Sequence, residues 1–185
     1  MFKKSLEDHL EAFNTLYDME TVIENTCIEI DKRVKSGGTV YWMGNGGSAA
    51  DAQHYAAELM VRYKLNRKPI KSIALTTDTS LITAHSNDYE YETVFSRQVE
   101  ALASSNDVFI GISTSGNSKN IKLAMQTAKD KNCLTIGMLG NDGGQISKLV
   151  DIPLVVTNPV TANIQECHLI IGHYICDFIE KNNHQ

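Results

Sequence analysis

The sequence predicts an α/β fold in which a central parallel β-sheet is covered by helices on both faces and preceded by an N-terminal helical extension. Short apolar runs alternate with segments of helical periodicity along most of the chain. Parallel strands need such crossover segments, usually helices, between them. Turns rich in glycine and serine follow two of the apolar runs. Ligands bind beyond the carboxyl ends of the strands in sheets of this kind, so these turns are candidate binding sites.

Residues 1–36 are expected to form the helical extension. Apolar residues keep near-helical spacing through residues 5–36, which is long for one globular helix. We therefore predict two helices with a break near Asp18-Met19. The Gly37-Gly38 pair is expected to end the second helix. Residues 37–185 would then form the α/β core, and a chain of 185 residues suits a single domain with a substantial core.

The first half of the core predicts two strand–helix pairs. Residues 39–43 read Thr-Val-Tyr-Trp-Met, a run of β-branched and aromatic side chains that is typical of a buried strand. A glycine-rich turn separates this run from residues 49–63, which have helical spacing. Residues 70–75 form the next predicted strand, and residues 91–103 the next predicted helix.

The second half continues the same alternation. Its apolar runs predict three further strands, and turn residues separate them from helical segments. The predicted order is a strand at 107–112, a helix after Ser118, a strand at 134–139, a turn at 141–144, a short helix at 146–149, a strand at 152–156 and a helix at 162–181.

Composition excludes several classes of function. The formal net charge of −5 argues against a general nucleic-acid surface. No apolar run approaches the ~20 residues of a membrane span, and the N-terminus turns acidic without the apolar region of a secretory leader. The four cysteines form no CxxC pair, which disfavours a cysteine zinc site. We expect a cytoplasmic protein with reduced thiols.

A hydroxyl-rich turn follows the strand predicted at 107–112. Residues 113–118 read Ser-Thr-Ser-Gly-Asn-Ser and lead into a helical segment. Backbone N–H groups and the helix dipole favour anions at such a place, and the hydroxyls add neutral donors. The alternative is a capped helix entry with Ser118 or Asn117 as the N-cap. A cap explains one hydroxyl rather than four, so the pattern favours a phosphate-type site.

A second turn at residues 44–48 reads Gly-Asn-Gly-Gly-Ser and also opens a helix. Its glycines permit close backbone approach to a ligand. The turn is not a GxGxxG in register and contains no GK[ST], and no acidic residue ends the following strand to bind a ribose. A nucleotide cofactor is therefore disfavoured, and the two turns together indicate a small phosphorylated ligand.

Two helices carry candidate catalytic or metal-binding residues. His54 and Glu58 are four residues apart and share one helical face, as either metal ligands or an acid/base pair; a partly exposed polar pair is the alternative. Gln165 and His173 can face one cleft, although His173 lies among apolar residues and could be a core histidine. His168 and Glu166 fit a solvated or interface face better. Asn87 and Asp88, between a strand and a helix, suit turn and cap chemistry.

Taken together, these residues resemble the sugar isomerase (SIS) domain family, and most closely its bacterial phosphoheptose isomerases. The resemblance covers nearly the whole chain. The serine turn marks the family broadly, whereas the set of His54, Glu58, Gln165 and His173 is more specific.

The resemblance implies a three-layer α/β sandwich, a homotetramer, and one Zn²⁺ per site bound through those same four residues. It implies conversion of sedoheptulose 7-phosphate to D-glycero-D-manno-heptose 7-phosphate, with Glu58 and His173 in acid/base roles. The alternative hypotheses are a non-catalytic relative that binds the replication initiator and an isomerase of another phosphosugar. By the same resemblance, the residues that contact the sugar phosphate are Asn45, Gly46, Gly47, Ser48, Glu58, Asn87, Asp88, Ser113, Thr114, Ser115, Ser118 and Gln165.

Overall fold

The computed structural model describes residues 1–184. It contains seven α-helices and five β-strands among these residues, with short 3-10 segments at Thr15–Met19, Tyr91–Thr93 and Ile146–Lys148. The helices are α1 (Phe2–Asn14), α2 (Glu20–Lys35), α3 (Gly47–Met60), α4 (Thr79–Asp88), α5 (Val94–Leu102), α6 (Lys119–Asp130) and α7 (Thr161–Asn182). The strands are β1 (Val40–Gly44), β2 (Ser72–Ala74), β3 (Val108–Ser113), β4 (Leu134–Gly140) and β5 (Ile152–Val156).

The five strands form one parallel sheet in the order β2-β1-β3-β4-β5. From β1 the chain first moves outward to β2, then returns to build the rest of the sheet on the other side of β1. This reversal creates a switch point between β1 and β3, where ligands bind in open α/β sheets. In register, Gly44 pairs with Ile112. The glycine-rich and serine-rich turns therefore lie side by side at the carboxyl ends of β1 and β3.

Both faces of the sheet are covered, which confirms the predicted layering. On one face Trp42 and Ile110 belong to an apolar core with residues of α2, α3 and α7. On the other face Tyr41 and Phe109, whose rings stack 4.7 Å apart, belong to a second core with residues of α5 and α6. Successive strand residues point to opposite faces, so each apolar run supplies both cores.

Helices α3 and α7 pack side by side in the same direction. The Tyr55 hydroxyl on α3 donates to the His168 carbonyl on α7 over 3.1 Å. Gly172 makes this close packing possible, since a Cβ there would lie 2.3 Å from the ring carbon Cζ of Tyr55. The groove between these two helices carries several of the candidate residues.

The predicted elements are confirmed with the exceptions that follow, and helix α4 is an additional element that the sequence did not predict. The N-terminal helices are separated by the 3-10 segment Thr15–Met19, as expected near Asp18. The strand predicted at 70–75 is shorter, and the short helix predicted at 146–149 is a single 3-10 turn. The placement of Asn87 and Asp88 in a turn between a strand and a helix is wrong, because they are the last two residues of α4.

Among residues 1–184, no helix combines the length and the apolar character that crossing a membrane requires.

Candidate active site

The serine turn brings its hydroxyls together at the start of α6. The Oγ atom of Ser113 lies 2.9 Å from that of Ser118 and 3.5 Å from that of Ser115. Ser118 is the N-cap residue by position, yet within residues 1–184 its side chain makes no capping hydrogen bond. The capped-entry alternative therefore does not account for this hydroxyl. Thr114 is half-buried, and its carbonyl accepts a hydrogen bond from Asn141.

Gly116 sets the shape of this turn. Its φ is +64°, and a Cβ at this position would lie 2.2 Å from the Gly143 carbonyl oxygen. A side chain is excluded here by both conformation and space. The turn at 141–144, expected to be a plain turn, thus packs directly against the serine turn and supports it.

The glycine turn is tied to the serine turn by a pair of amides. Asn45 and the buried Asn120, in the first turn of α6, exchange hydrogen bonds of 2.9 and 2.8 Å. The Asn45 oxygen also accepts from the Tyr91 hydroxyl over 2.9 Å. An amide nitrogen carries two N–H donors, so Asn45 retains one N–H for another partner.

The other residues of the glycine turn shape the start of α3 and the wall of a small pocket. Gly46 adopts a φ of +55°, a conformation that favours glycine. Gly47 begins α3 and Ser48 is buried. A small pocket of about 140 Å³ opens beside the turn, and Thr76 and Phe95 are among its lining residues.

Three of the four predicted metal ligands meet in the groove between α3 and α7. Nitrogen atoms of His54 and His173 and a carboxylate oxygen of Glu58 all lie within 4.8 Å of one another. The His54 and His173 rings meet edge to face, with centroids 5.0 Å apart. Two imidazoles and a carboxylate are a donor set that suits a divalent metal such as zinc.

The two oxygens of Glu58 have different surroundings. Oε1 lies 3.1 Å from His54 Nε2. Oε2 is buried and has no hydrogen-bond partner among residues 1–184. A buried carboxylate oxygen without a partner is costly, and a cation in the cluster would supply what this oxygen lacks. The residues present therefore fit a metal ion.

Gln165 lies near the N-terminal end of the same groove. Its Nε2 atom is 2.7 Å from the position a Cβ would take on Gly47. His54 follows Gly47 by seven residues, about two turns and ~10 Å along an ideal helix. Gln165 and the cluster of His54, Glu58 and His173 thus border one groove that begins at the glycine turn.

Aromatic rings enclose His173. The Tyr63 ring stacks on it at a centroid distance of 5.6 Å, and the Tyr55 ring meets it edge-on at 6.2 Å. His173 is half-buried, so the alternative of a buried core histidine does not describe it.

Asp51 is a further acidic residue near this cluster, and the sequence pattern did not single it out as a candidate. It lies one turn before His54 on α3. Burial raises the pKa of its carboxyl above the usual value, and the nearby His54 and His173 oppose that effect. The spacing of residues 51, 54 and 58 on one helical face was the signal that could have found it.

His168 is not on a solvated face, and that prediction is wrong. The side chain is fully buried, with Nε2 3.1 Å from the Leu139 carbonyl oxygen and Nδ1 without a partner among residues 1–184. Burial lowers the pKa of His168 to about 4, and the bond to Leu139 only partly opposes this. The neighbouring Glu166 is half-exposed, as expected, and pairs with His9 at 2.9 Å.

Asn87 and Asp88 lie at the exposed C-terminal end of α4. The Asn87 amide donates to the Asp88 carboxylate over 2.9 Å. Both side chains remain accessible from solvent.

Comparison with known proteins matches this architecture to one family. Residues 2–140 match the SIS domain family. Phosphoheptose isomerase of Citrifermentans bemidjiense is 47% identical over 180 residues, covering 97% of this chain and 94% of the relative. That of Helicobacter hepaticus is 48% identical over 181 residues, covering 98% and 92%. The structure of a phosphoheptose isomerase from Neisseria gonorrhoeae is similar with a TM-score of 0.87 at 39% identity, covering 97% of this chain and 95% of that one. The chain therefore belongs to the SIS domain family and, within it, to the phosphoheptose isomerases.

Proposed function

We propose that this chain catalyses the reaction for which its relatives are named, converting sedoheptulose 7-phosphate to D-glycero-D-manno-heptose 7-phosphate in the supply of ADP-heptose precursors. The observation that carries the proposal is the cluster of His54, Glu58 and His173, in which Glu58 Oε2 has no hydrogen-bond partner in the described part of the chain. An aldose–ketose isomerase needs a base and an acid at one place, and this cluster supplies both.

The serine turn is proposed to bind the phosphate group. Three neutral hydroxyls converge there at the N-terminus of α6, where the helix dipole favours an anion. Thr114, Gly46, Gly47, Ser48 and the free N–H of Asn45 would complete the donors on this side. Asn87 and Asp88 are proposed to contact the sugar hydroxyls. Binding the remote phosphate would orient the reacting end of the sugar.

The chemical step moves a proton between adjacent carbons. Glu58 would remove the proton from the hydroxyl-bearing carbon next to the carbonyl, while His173 donates a proton to the carbonyl oxygen, giving an enediol. Glu58 would then return a proton to the former carbonyl carbon, and His173 would take one from the other hydroxyl. Such acid–base catalysis contributes roughly 10²–10⁴-fold in rate.

One zinc ion per site is proposed, held by His54, Glu58 and His173, with Gln165 as the fourth ligand once its side chain extends along the groove from Gly47 towards this cluster. Bound zinc would stabilise negative charge on the substrate oxygens. Glu58 and His173 are then both ligands and proton-transfer groups. Glu58 has two oxygens with separate surroundings and His173 has two ring nitrogens, so each side chain has one atom for each role.

A homotetramer is proposed from the apolar surface of the N-terminal helices. A groove of about 470 Å³ runs between α1, α2 and α7, with Phe13, Ile23 and Ile171 in its lining. Leu10 and Tyr17 at its border are exposed. Exposed apolar patches of this kind mark interaction surfaces, and a second copy of the chain is the proposed occupant. The four buried free cysteines suit a reducing compartment, so we place the protein in the cytoplasm.

A product assay tests the function. Purified protein supplied with sedoheptulose 7-phosphate should form the heptose 7-phosphate, and a strong chelator should lower the rate. Glu58→Gln keeps the shape of the side chain but removes the base, so turnover should fall at least about 100-fold while sugar phosphate still binds. Near wild-type turnover by Glu58→Gln would remove Glu58 as the base. No product from the wild-type protein, with zinc supplied, would reject the proposed reaction.

A further inference from the structure

A buried ion pair lies behind the candidate metal cluster. Arg67, in the loop after α3, and Glu180, in the last turn of α7, approach to 3.2 Å between Nε and Oε1, with side chains only 0% and 1% exposed. The Arg67 Nε–H is not aimed at that oxygen and has no hydrogen-bond acceptor among residues 1–184. Buried charges are expensive to desolvate, and apolar replacements are often as stable. The pair therefore calls for an explanation other than stability.

Glu180 organises the loop that follows α3. Its two carboxylate oxygens accept the backbone N–H groups of Tyr63, Lys64 and Leu65 at 2.8, 2.6 and 2.8 Å. Burial alone would raise the pKa of Glu180, but these three donors and Arg67 outweigh it and the pKa is lowered. Glu180 thus stays ionised and fixes the backbone of this loop.

Arg67 fixes the end of α3 itself. One guanidinium nitrogen donates to the Glu58 carbonyl over 2.9 Å, and the other donates to the Lys68 carbonyl over 2.9 Å. The last carbonyls of a helix lack intrahelical partners, so this contact holds the backbone of Glu58 in place. A cation at a helix C-terminus is also favoured by the dipole.

The pair reaches both proposed catalytic residues. Arg67 contacts the Glu58 backbone directly. Glu180 holds the backbone of Tyr63, whose ring stacks on the His173 ring. Glu180 also lies seven residues, about two turns, after His173 on α7. We propose that Arg67 and Glu180 are positioning residues that set the distance and orientation between Glu58 and His173, and thereby the metal affinity and the catalytic rate of the site. This inference rests on the proposed function.

Arg67→Lys is the sharpest test. It keeps the positive charge, but an ammonium group cannot reproduce the planar fork that reaches two carbonyls and Glu180 together. We expect zinc affinity, measured by competition with a chromophoric chelator, to fall about tenfold, as is common when groups supporting metal ligands are lost. The kcat should fall by a similar factor of about ten while KM changes less than about threefold, because the phosphate donors lie on other loops.

The double variant Arg67→Met with Glu180→Gln guards against loss of folding, because it removes both buried charges. It should show the same loss of zinc affinity, with circular dichroism confirming a folded protein at the assay temperature. Arg33→Lys is the matched control. Arg33 also donates to a backbone carbonyl, that of Ser105 at 2.6 Å, just before the amino end of β3. Its substitution should leave zinc affinity and kinetics unchanged.

The outcomes separate the positioning role from the function on which it rests. Wild-type zinc affinity and kcat in Arg67→Lys would show that only charge compensation matters and would overturn the positioning role alone. Equal losses in Arg67→Lys and Arg33→Lys would also overturn it. A wild-type protein that binds no zinc would overturn the proposed metal site and this inference together.

Discussion

The Ser118 hydroxyl does not cap helix α6, although Ser118 holds the N-cap position. A serine at the N-cap position usually bonds a backbone N–H of the first turn, but this one instead lies 2.9 Å from the Ser113 hydroxyl. By contrast, the Ser115 hydroxyl accepts the Asn117 N–H over 3.1 Å and helps to shape the turn. The two serines therefore differ in what their loss would change.

Ser118→Ala should weaken substrate use while costing less stability than the loss of a helix cap, because only the bond to the Ser113 hydroxyl is lost. No capping bond is lost, so the usual cost of about 1 kcal/mol for removing a cap does not apply. A lost hydrogen bond to phosphate should raise KM about tenfold. Steady-state kinetics and thermal melting measure the two effects. Ser115→Ala is the comparison, because it should raise KM and lower the melting temperature together. An unchanged KM in the variant that combines Ser115→Ala with Ser118→Ala would reject the phosphate site.

His168 should make the fold sensitive to acid. Its pKa is lowered to about 4 in the folded chain, from 6.5 for a free histidine. Between these values the unfolded chain binds a proton that the folded chain does not, so stability falls as pH drops from 6.5 towards 4. The full loss is roughly 3 kcal/mol.

His168→Gln tests this sensitivity. The glutamine amide can donate to the Leu139 carbonyl as Nε2 does, but it does not titrate. We expect the free energy of unfolding, from urea titrations at several pH values, to fall less steeply below pH 6.5 than in the wild type. Parallel pH curves for the two proteins would contradict the assignment of a neutral, buried His168.

At the scale of the elements, the packing of α3 against α7 brings together the candidate metal cluster of His54, Glu58 and His173. Gly172→Ala would place a methyl group 2.3 Å from Tyr55 Cζ, which must push the helices apart. We expect a loss of about 1–3 kcal/mol in stability, as for other overpacked sites. Zinc affinity should also fall, because His173 follows Gly172 directly. The double variant with Tyr55→Leu should recover part of the affinity by restoring space. Unchanged zinc affinity in Gly172→Ala would show that the cluster tolerates helix separation.

A comparison of the predicted with the observed helices and strands shows how much of the fold the sequence predicts. The strands at 39–43, 107–112 and 134–139 were predicted well because each is a continuous buried apolar run. Helix α4 was missed because it buries none of its residues, so no apolar periodicity marks it. Its N-terminus did carry a signal, since Asp78 accepts the Leu81 N–H over 2.9 Å. His168 was misplaced because its burial depends on which face of α7 meets the sheet.

At the scale of the molecule, the candidate site exists because of the order of the strands. Sequence spacing pairs His54 with Glu58, but it does not pair either of them with His173. Nor does it predict that Asn45 meets Asn120, which joins the two turns across the switch point. These contacts span more than 70 residues and follow from the tertiary fold. The single-domain boundary and the roles of the site residues stay predictions.

A separate prediction concerns the apolar groove between α1, α2 and α7, where a second copy of the chain is proposed to bind. Leu10→Lys places a charge beside Phe13 and Tyr17 on the surface proposed to meet a second copy. Burying an unpaired charge at an interface is costly, so the proposed tetramer should dissociate into smaller species, measured by light scattering during gel filtration. Leu123→Lys on α6 is the matched control, since Leu123 is 39% exposed and Leu10 53% exposed, but only Leu10 lines the groove. A tetramer that survives Leu10→Lys, or that Leu123→Lys disrupts equally, would place the interface elsewhere on the chain.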